Sequence, residues 1–291
     1  MKLVPATLLT GAGLAAYAFY EPFRYRLTTK DVPLHAGAPA LRVLHLSDMH
    51  MRAGDRKLVA WLKALPDVLG EPPDLILSTG DMIEENAGID LLLEALTPLE
   101  ARLGRLYVLG SHDYYVSAFK AYTKYFDADK SPVKTRPADT MRLEKGLRSK
   151  GWIPLANTTH VMETTHGRLR LAGVDDPYLK RHRTEHIERC NDEVLAIGLV
   201  HAPDVVSEWI LAGFDLVVAG HTHGGQVRLP GIGALVTNCS LPNALAGGLT
   251  PIGAGWLHVS PGLGAGKYSP IRFACRPEAT LLELAPGSCS A

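Results

Sequence analysis

The chain is 291 residues and 31.5 kDa, with 30 Lys+Arg against 30 Asp+Glu and a pI near 7.2. At 46% hydrophobic and 21% charged residues it is too apolar for a disordered chain. Zero net charge lacks the basic footprint of a general nucleic-acid clamp, so no nucleic-acid scaffold binding is expected. The four cysteines, Cys190, Cys239, Cys275 and Cys289, are too few and too scattered for a disulfide framework and form no C-x-x-C pair for zinc. Twelve histidines are the one unusual feature of the composition.

From Leu3 to Tyr20 the chain runs 18 residues without a charge, between Lys2 and Glu21. That is just long enough to span a bilayer as a helix. The competing reading is a cleaved signal peptide with Ala16-Tyr17-Ala18 as its small-x-small site. Residues 1–22 are therefore expected to form a transmembrane anchor or signal segment. Arg24, Arg26 and Lys30 outnumber the single Lys2 before the segment, and the positive-inside rule then leans the rest of the chain towards the cytoplasm, attached by a single pass. Residues 23–40, marked by Pro33, Gly37 and Pro39, read as a linker.

The pattern then becomes strand, helix, strand. Leu41 to Leu46 is a run of strand formers, and Leu58, Leu62, Leu65 and Leu69 recur at helical spacing with Asp55 available as a cap. A second apolar strand, Leu75-Ile76-Leu77, is followed by a helical run from Asp90 to about Leu103 and a third strand, Leu106 to Leu109. Residues 114 to about 150 read as an irregular excursion over a site. Further strands are expected at Arg168–Val174, Val194–Val200, Leu216–Ala219, Trp256–Val259 and Thr280–Leu284. The apolar strands lack polar alternation, which argues for buried, largely parallel pairing. Two packed sheets with helices outside would absorb this many strands in one domain spanning residues 41–285, with a tail at 286–291.

Ionisable residues collect immediately after the apolar strands. The first is followed by Asp48-Met49-His50, the second by Gly80-Asp81, and the third by Gly110-Ser111-His112-Asp113. The strand ending at Val200 is followed by His201, and the one ending at Ala219 by Gly220-His221-Thr222-His223. Ligands in open α/β sheets bind beyond the carboxyl ends of strands, so five strand ends deliver three Asp and five His towards one region. Mixed imidazole and carboxylate donors suit Zn, Mn, Fe or Co. More than four donors, one of them able to bridge, suit two divalent metal ions, which can clamp both the attacking and leaving oxygens of a phosphoryl displacement. The Gly-rich stretch Gly262 to Gly266 with Lys267 reads first as a turn and second as a phosphate contact, and the cluster Lys180-Arg181-His182-Arg183 first as solvated surface and second as a contact to anionic headgroups.

These blocks, in this order, resemble the calcineurin-like metallophosphoesterase superfamily over about residues 41–285, and the Gly220–Gln226 block with an N-terminal apolar segment is most similar to its membrane-attached bacterial branch. The resemblance implies a four-layer α/β/β/α fold of two stacked mixed β-sheets. It implies hydrolysis of a phosphodiester, phosphomonoester or pyrophosphate bond, with a lipid-linked phosphate ester as one candidate substrate. It assigns Asp48, His50 and His223 to one metal, His201 and His221 to the other, and Asp81 to both. His112 would protonate or stabilise the leaving oxygen, with Asp113 orienting its imidazole. One position departs: the family's Asn is Ser111 here. Ser111, a water, or His112 itself would complete the second metal position. A non-catalytic interaction platform at the membrane on the same fold is the alternative function.

Overall fold

The computed structural model describes residues 13–116, 136–229 and 231–287. Residues 1–12 of the expected anchor, 117–135 of the expected excursion, and Cys289 in the tail lie outside the described residues. Residues 13–20 are helical, and among the described residues no helix is long and apolar enough to cross a membrane.

The strands are β1 (Arg26–Leu34), β2 (Leu41–Leu46), β3 (Leu75–Thr79), β4 (Gly104–Val108), β5 (Trp152–Pro154), β6 (Thr158–Thr164), β7 (Gly167–Gly173), β8 (Glu193–Leu199), β9 (Leu216–Ala219), β10 (Arg228–Leu229), β11 (Gly233–Ala234), β12 (Gly248–Ile252), β13 (Gly255–Val259) and β14 (Glu278–Pro286). They form two six-stranded sheets, ordered β1-β14-β2-β3-β4-β5 and β12-β13-β9-β8-β7-β6, with β10 and β11 as a separate ribbon. Both sheets are mixed. The central pairs β2–β3, β3–β4, β7–β8, β8–β9 and β9–β13 are parallel, whereas β14–β2, β6–β7 and β12–β13 are antiparallel.

Alternation along each strand builds the layers. In β2, Leu41 and Val43 join Leu75, Leu106, Leu171, Ile197 and Val218 in a core between the sheets. Leu44 and Leu46 face the other way, into a cluster with Leu58, Leu62 and Leu65 of the helix Arg56–Leu69, Leu92 of the helix Ile89–Leu96, and Leu143 of the helix Thr140–Ser149. On the far side Trp209, from the helix Val206–Leu211, covers Ala196, Val217 and Leu257. The result is the four-layer α/β/β/α sandwich.

Some local expectations need correction. The stretch 23–40, read as a linker, holds β1, which pairs parallel with β14 from Arg26↔Glu278 to Leu34↔Pro286. The second helix stops at Leu96, not near Leu103, because Pro98 cannot continue it. Asp55 does occupy the N-cap position, but its carboxylate accepts from the Arg52 backbone and side chain and caps no helix amide.

Candidate metal centre

The carboxyl ends of β2, β3, β4, β8 and β9 open on one edge of the sandwich, and the turns that follow them carry Asp48 and His50, Asp81, His112 and Asp113, His201, and His221 and His223. The backbone there is strained. Of the nine non-glycine residues with positive φ among the described residues, five are Asp48, His50, Asp81, His221 and His223. Left-handed backbone at side chains that do not favour it persists only where the surroundings enforce it, and it concentrates at functional sites. Close packing does the enforcing. A Cβ on Gly110 would strike Asp81 Oδ1 and His201, and one on Gly220 would strike Ser47 Oγ and Asp48 Oδ2.

The six expected ligands converge. His50 Nε2 lies 3.2 Å from His223 Nε2, and His223 Nε2 lies 3.6 Å from Asp48 Oδ1. His201 Nε2 lies 3.3 Å from His221 Nδ1. Asp81 Oδ2 sits between these groups, 3.7 Å from His50 Nε2 and 3.3 Å from His201 Nε2. Asp48, His50 and His223 form one set of donors within cation reach of each other, and Asp48, Asp81 and His201 another.

Outward hydrogen bonds fix which ring nitrogens are free. His201 Nδ1 donates to the Thr79 carbonyl at 2.7 Å, His221 Nε2 to the Asn238 carbonyl at 3.1 Å, and His50 Nδ1 to Glu84 Oε2 at 2.6 Å. Those partners only accept, so in the neutral rings the opposite nitrogens, His201 Nε2, His221 Nδ1 and His50 Nε2, carry lone pairs into the cluster. Bare imidazole nitrogens facing each other and two buried carboxylates make a donor set for divalent cations, which the residues present therefore fit. His223 differs: Arg272, fully buried, places Nη2 3.3 Å from its Nδ1 and donates to the carbonyls of Pro261, Gly262 and Gly264.

His112 offers a ring nitrogen within cation reach of His50 and Asp81. Its Nδ1 lies 3.1 Å from Glu84 Oε2, and its ring packs edge-on against His50. Asp113 does not orient this imidazole. Its carboxylate accepts from the backbone N–H groups of Met82, Ile83 and Gly110, tying the β3 and β4 turns together. Burial favours the neutral imidazole of His112, but the charges of Asp81 and Glu84 prevail and raise it to about 9. Burial would likewise raise Asp81, yet His201 and His112 hold its carboxyl well below the usual range.

Two acids were not singled out from the sequence. Glu84 stands three residues after Asp81 and reaches back to His50 and His112. Asp176 follows β7, where the strand-end rule would have found it; it is fully buried, and burial pushes its carboxyl up to about 7. The Gly-rich stretch offers its amides to the protein, Leu263 N to the Ser47 carbonyl and Gly264 N to the Asp48 carbonyl at 2.6 Å. Arg181 pairs with Asp175 and covers the Tyr114 ring.

This sandwich and its strand-end donors define a metallophosphoesterase. Residues 41–225 match the calcineurin-like phosphoesterase family, and the chain belongs to it as a hydrolase of phosphoric ester bonds. It is 26% identical to the Escherichia coli protein named phosphodiesterase YaeI, with 98% of this chain and 97% of that one covered. It is also 26% identical to the metallophosphoesterase YkuE of Bacillus subtilis, over 97% of this chain and 93% of the other. The UDP-2,3-diacylglucosamine pyrophosphatase LpxG of Chlamydia trachomatis is 28% identical, with 89% of this chain and 86% of that one covered.

Proposed function

We propose that the chain hydrolyses a phosphodiester or pyrophosphate bond, in a lipid-linked substrate at a membrane surface, with the help of two divalent cations. The observation that carries this reading is Asp81 Oδ2, placed between His50 Nε2 and His201 Nε2. Asp48, His50 and His223 would hold one cation, His201 and His221 the other, and Asp81 both. Cations bound there supply Lewis acidity and a nucleophilic water at neutral pH. His112 acts on the leaving oxygen. Its Nδ1 lies against Glu84 Oε2, and Nε2 would give a hydrogen bond or proton to the departing group. Asp113 keeps the β3 and β4 turns in register, so that Asp81 and His112 stay together.

The substrate class is supported by the relatives named for a phosphodiesterase and for a diacylglucosamine pyrophosphatase. It is also supported by exposed Leu229, Ile232, Leu235 and Val236 on and after the β10–β11 ribbon, a few residues from Asn238, whose carbonyl holds His221. The uncharged run from Leu3 to Tyr20 would attach the chain to the same membrane. The non-catalytic platform reading is disfavoured by the filled donor set, since crowding buried acids and imidazoles is costly without a cation.

The test is hydrolysis of a bis-aryl phosphate, and of a UDP-linked diacyl sugar in vesicles, with and without Mn²⁺. Metal-dependent turnover that is lost in Asp81→Asn is expected. Inactivity of the native chain towards both substrates with every divalent metal overturns the reading in favour of the platform.

A further inference from the structure

Behind Asp48 a chain of buried polar groups runs from the site into the core between the sheets. Ser47 Oγ donates to Asp48 Oδ2 at 2.6 Å, and Thr79 Oγ1 donates to Ser47 Oγ at 2.6 Å. His45 Nε2 is 2.9 Å from Thr79 Oγ1, and His45 Nδ1 is 2.8 Å from His258 Nδ1. All five side chains are fully buried. His45 stands on the face of β2 that carries Leu41 and Val43 into the inter-sheet core, and His258 reaches it from β13 of the opposite sheet.

The direction of every hydrogen bond follows from the first. An ionised Asp48 only accepts, so the Ser47 hydroxyl spends its proton there and must itself accept from Thr79. Thr79 has then spent its proton and must accept from His45 Nε2–H. Neutral His45 is left with a bare Nδ1, so His258 Nδ1–H must donate to it. Neutral His258 is then left with a bare Nε2, and that atom is buried with no hydrogen-bond partner among the described residues. Both rings are held neutral: burial, then His258, keeps His45 well below its usual value, and burial, then Lys30, lowers His258 to about 3.

The His221 backbone N–H also approaches this carboxylate, 3.1 Å from Oδ2 and 3.2 Å from Oδ1. We propose that His45 and His258 are positioning residues of the cation site, forming with Thr79 and Ser47 a one-way donor chain that ties down Asp48 Oδ2 and turns Oδ1 toward the cation. Asp48 Oδ1 is the oxygen that faces His223 Nε2, at 3.6 Å. Chains of aligned donors polarise one another, so the last bond, to Asp48, is stronger than an isolated hydroxyl would make it. The proposal rests on the reading of Asp48 as a cation-holding carboxylate, and it ties that carboxylate to the packing of one sheet on the other.

Long-range ¹⁵N–¹H correlation on the whole protein reads the tautomers directly. The expected result is His45 protonated at Nε2 and His258 at Nδ1; the opposite tautomer on either ring overturns the chain. Calorimetric titration with Mn²⁺ reads its consequence. His45→Leu is expected to weaken binding about tenfold, the low end for an outer partner of a metal ligand. His45→Gln, which can both donate to Thr79 and accept from His258, should recover most of that loss. Native affinity in His45→Leu, with only the unfolding midpoint lowered, reduces the pair to a packing role and overturns the proposal. If Asp48→Asn binds Mn²⁺ as the native chain does, the cation reading of Asp48 fails instead, and the tautomers still decide whether the chain exists.

Discussion

Glu84 Oε2 accepts from His50 Nδ1 at 2.6 Å and lies 3.1 Å from His112 Nδ1, so one carboxylate oxygen aims both a cation-side imidazole and the leaving-group imidazole. Its second oxygen accepts from the Lys267 backbone N–H at 2.8 Å, which fixes the carboxylate itself. Glu84→Gln removes the charge and cannot accept from both rings and from the Lys267 N–H at once. Its Mn²⁺ affinity should fall about 10–100-fold, as for other outer partners of metal-binding histidines. Titration calorimetry on the variant checks this, and native affinity would show that Glu84 does not orient His50.

His112→Ala separates catalysis from cation binding. The six proposed ligands do not include His112, so cation content should stay at the native value. Turnover on a bis-aryl phosphate should fall roughly 10²–10⁴-fold, the usual worth of a general acid. Metal analysis beside the kinetics settles the assignment. A variant that has lost one cation makes His112 a ligand, and Ser111 then needs no role at the second position.

Parallel strands explain why so much of the site could be read from the sequence. Strands β2, β3, β4, β8 and β9 end on one edge, so residues following each apolar run meet whatever their separation along the chain. What the local sequence does not show has physical causes. β1 contains Thr28-Thr29-Lys30-Asp31 and Pro33, which look like linker, but an edge strand tolerates polar residues and proline, and its partner β14 lies about 250 residues away. The resemblance pairs Asp113 with the His112 imidazole, yet consecutive residues on a helical turn point in different directions. Glu84 belongs to no strand end and shows only as an acid three residues beyond Asp81. His45 and His258 lie within strands, where nothing local marks them as partners.

Gly220→Ala tests the close approach of the β9 turn to Asp48. The added Cβ would overlap Ser47 Oγ and Asp48 Oδ2, both fully buried, with no flexible chain end to yield. A loss of about 1–3 kcal/mol is expected from overpacking, together with weaker Mn²⁺ binding. Gly54→Ala is the control, because nothing lies within 4 Å of its Cβ position. Urea unfolding of both variants should separate them clearly; equal midpoints would mean that the turn gives way without cost.

His258 contributes a loss of stability on mild acidification because it stays neutral in the fold. Burial, aided by Lys30, lowers its pKa to about 3, whereas the unfolded chain titrates near the ordinary histidine value of about 6.5. Below that pH the unfolded state binds a proton that the native state refuses, so the native state loses ground as pH falls through 6.5 and continues to lose it towards 3. The slope is up to about 1.4 kcal/mol per pH unit for this ring, with no contribution above about pH 7. His258→Gln removes the titrating group while retaining an amide donor for His45. Across urea midpoints measured with chelator at pH 7.5, 6.5 and 5.5, the native chain should lose stability relative to this variant as pH falls, by about one histidine's share. Parallel pH profiles would mean that His258 takes up its proton in the folded protein, and that the seam between the sheets is open to solvent.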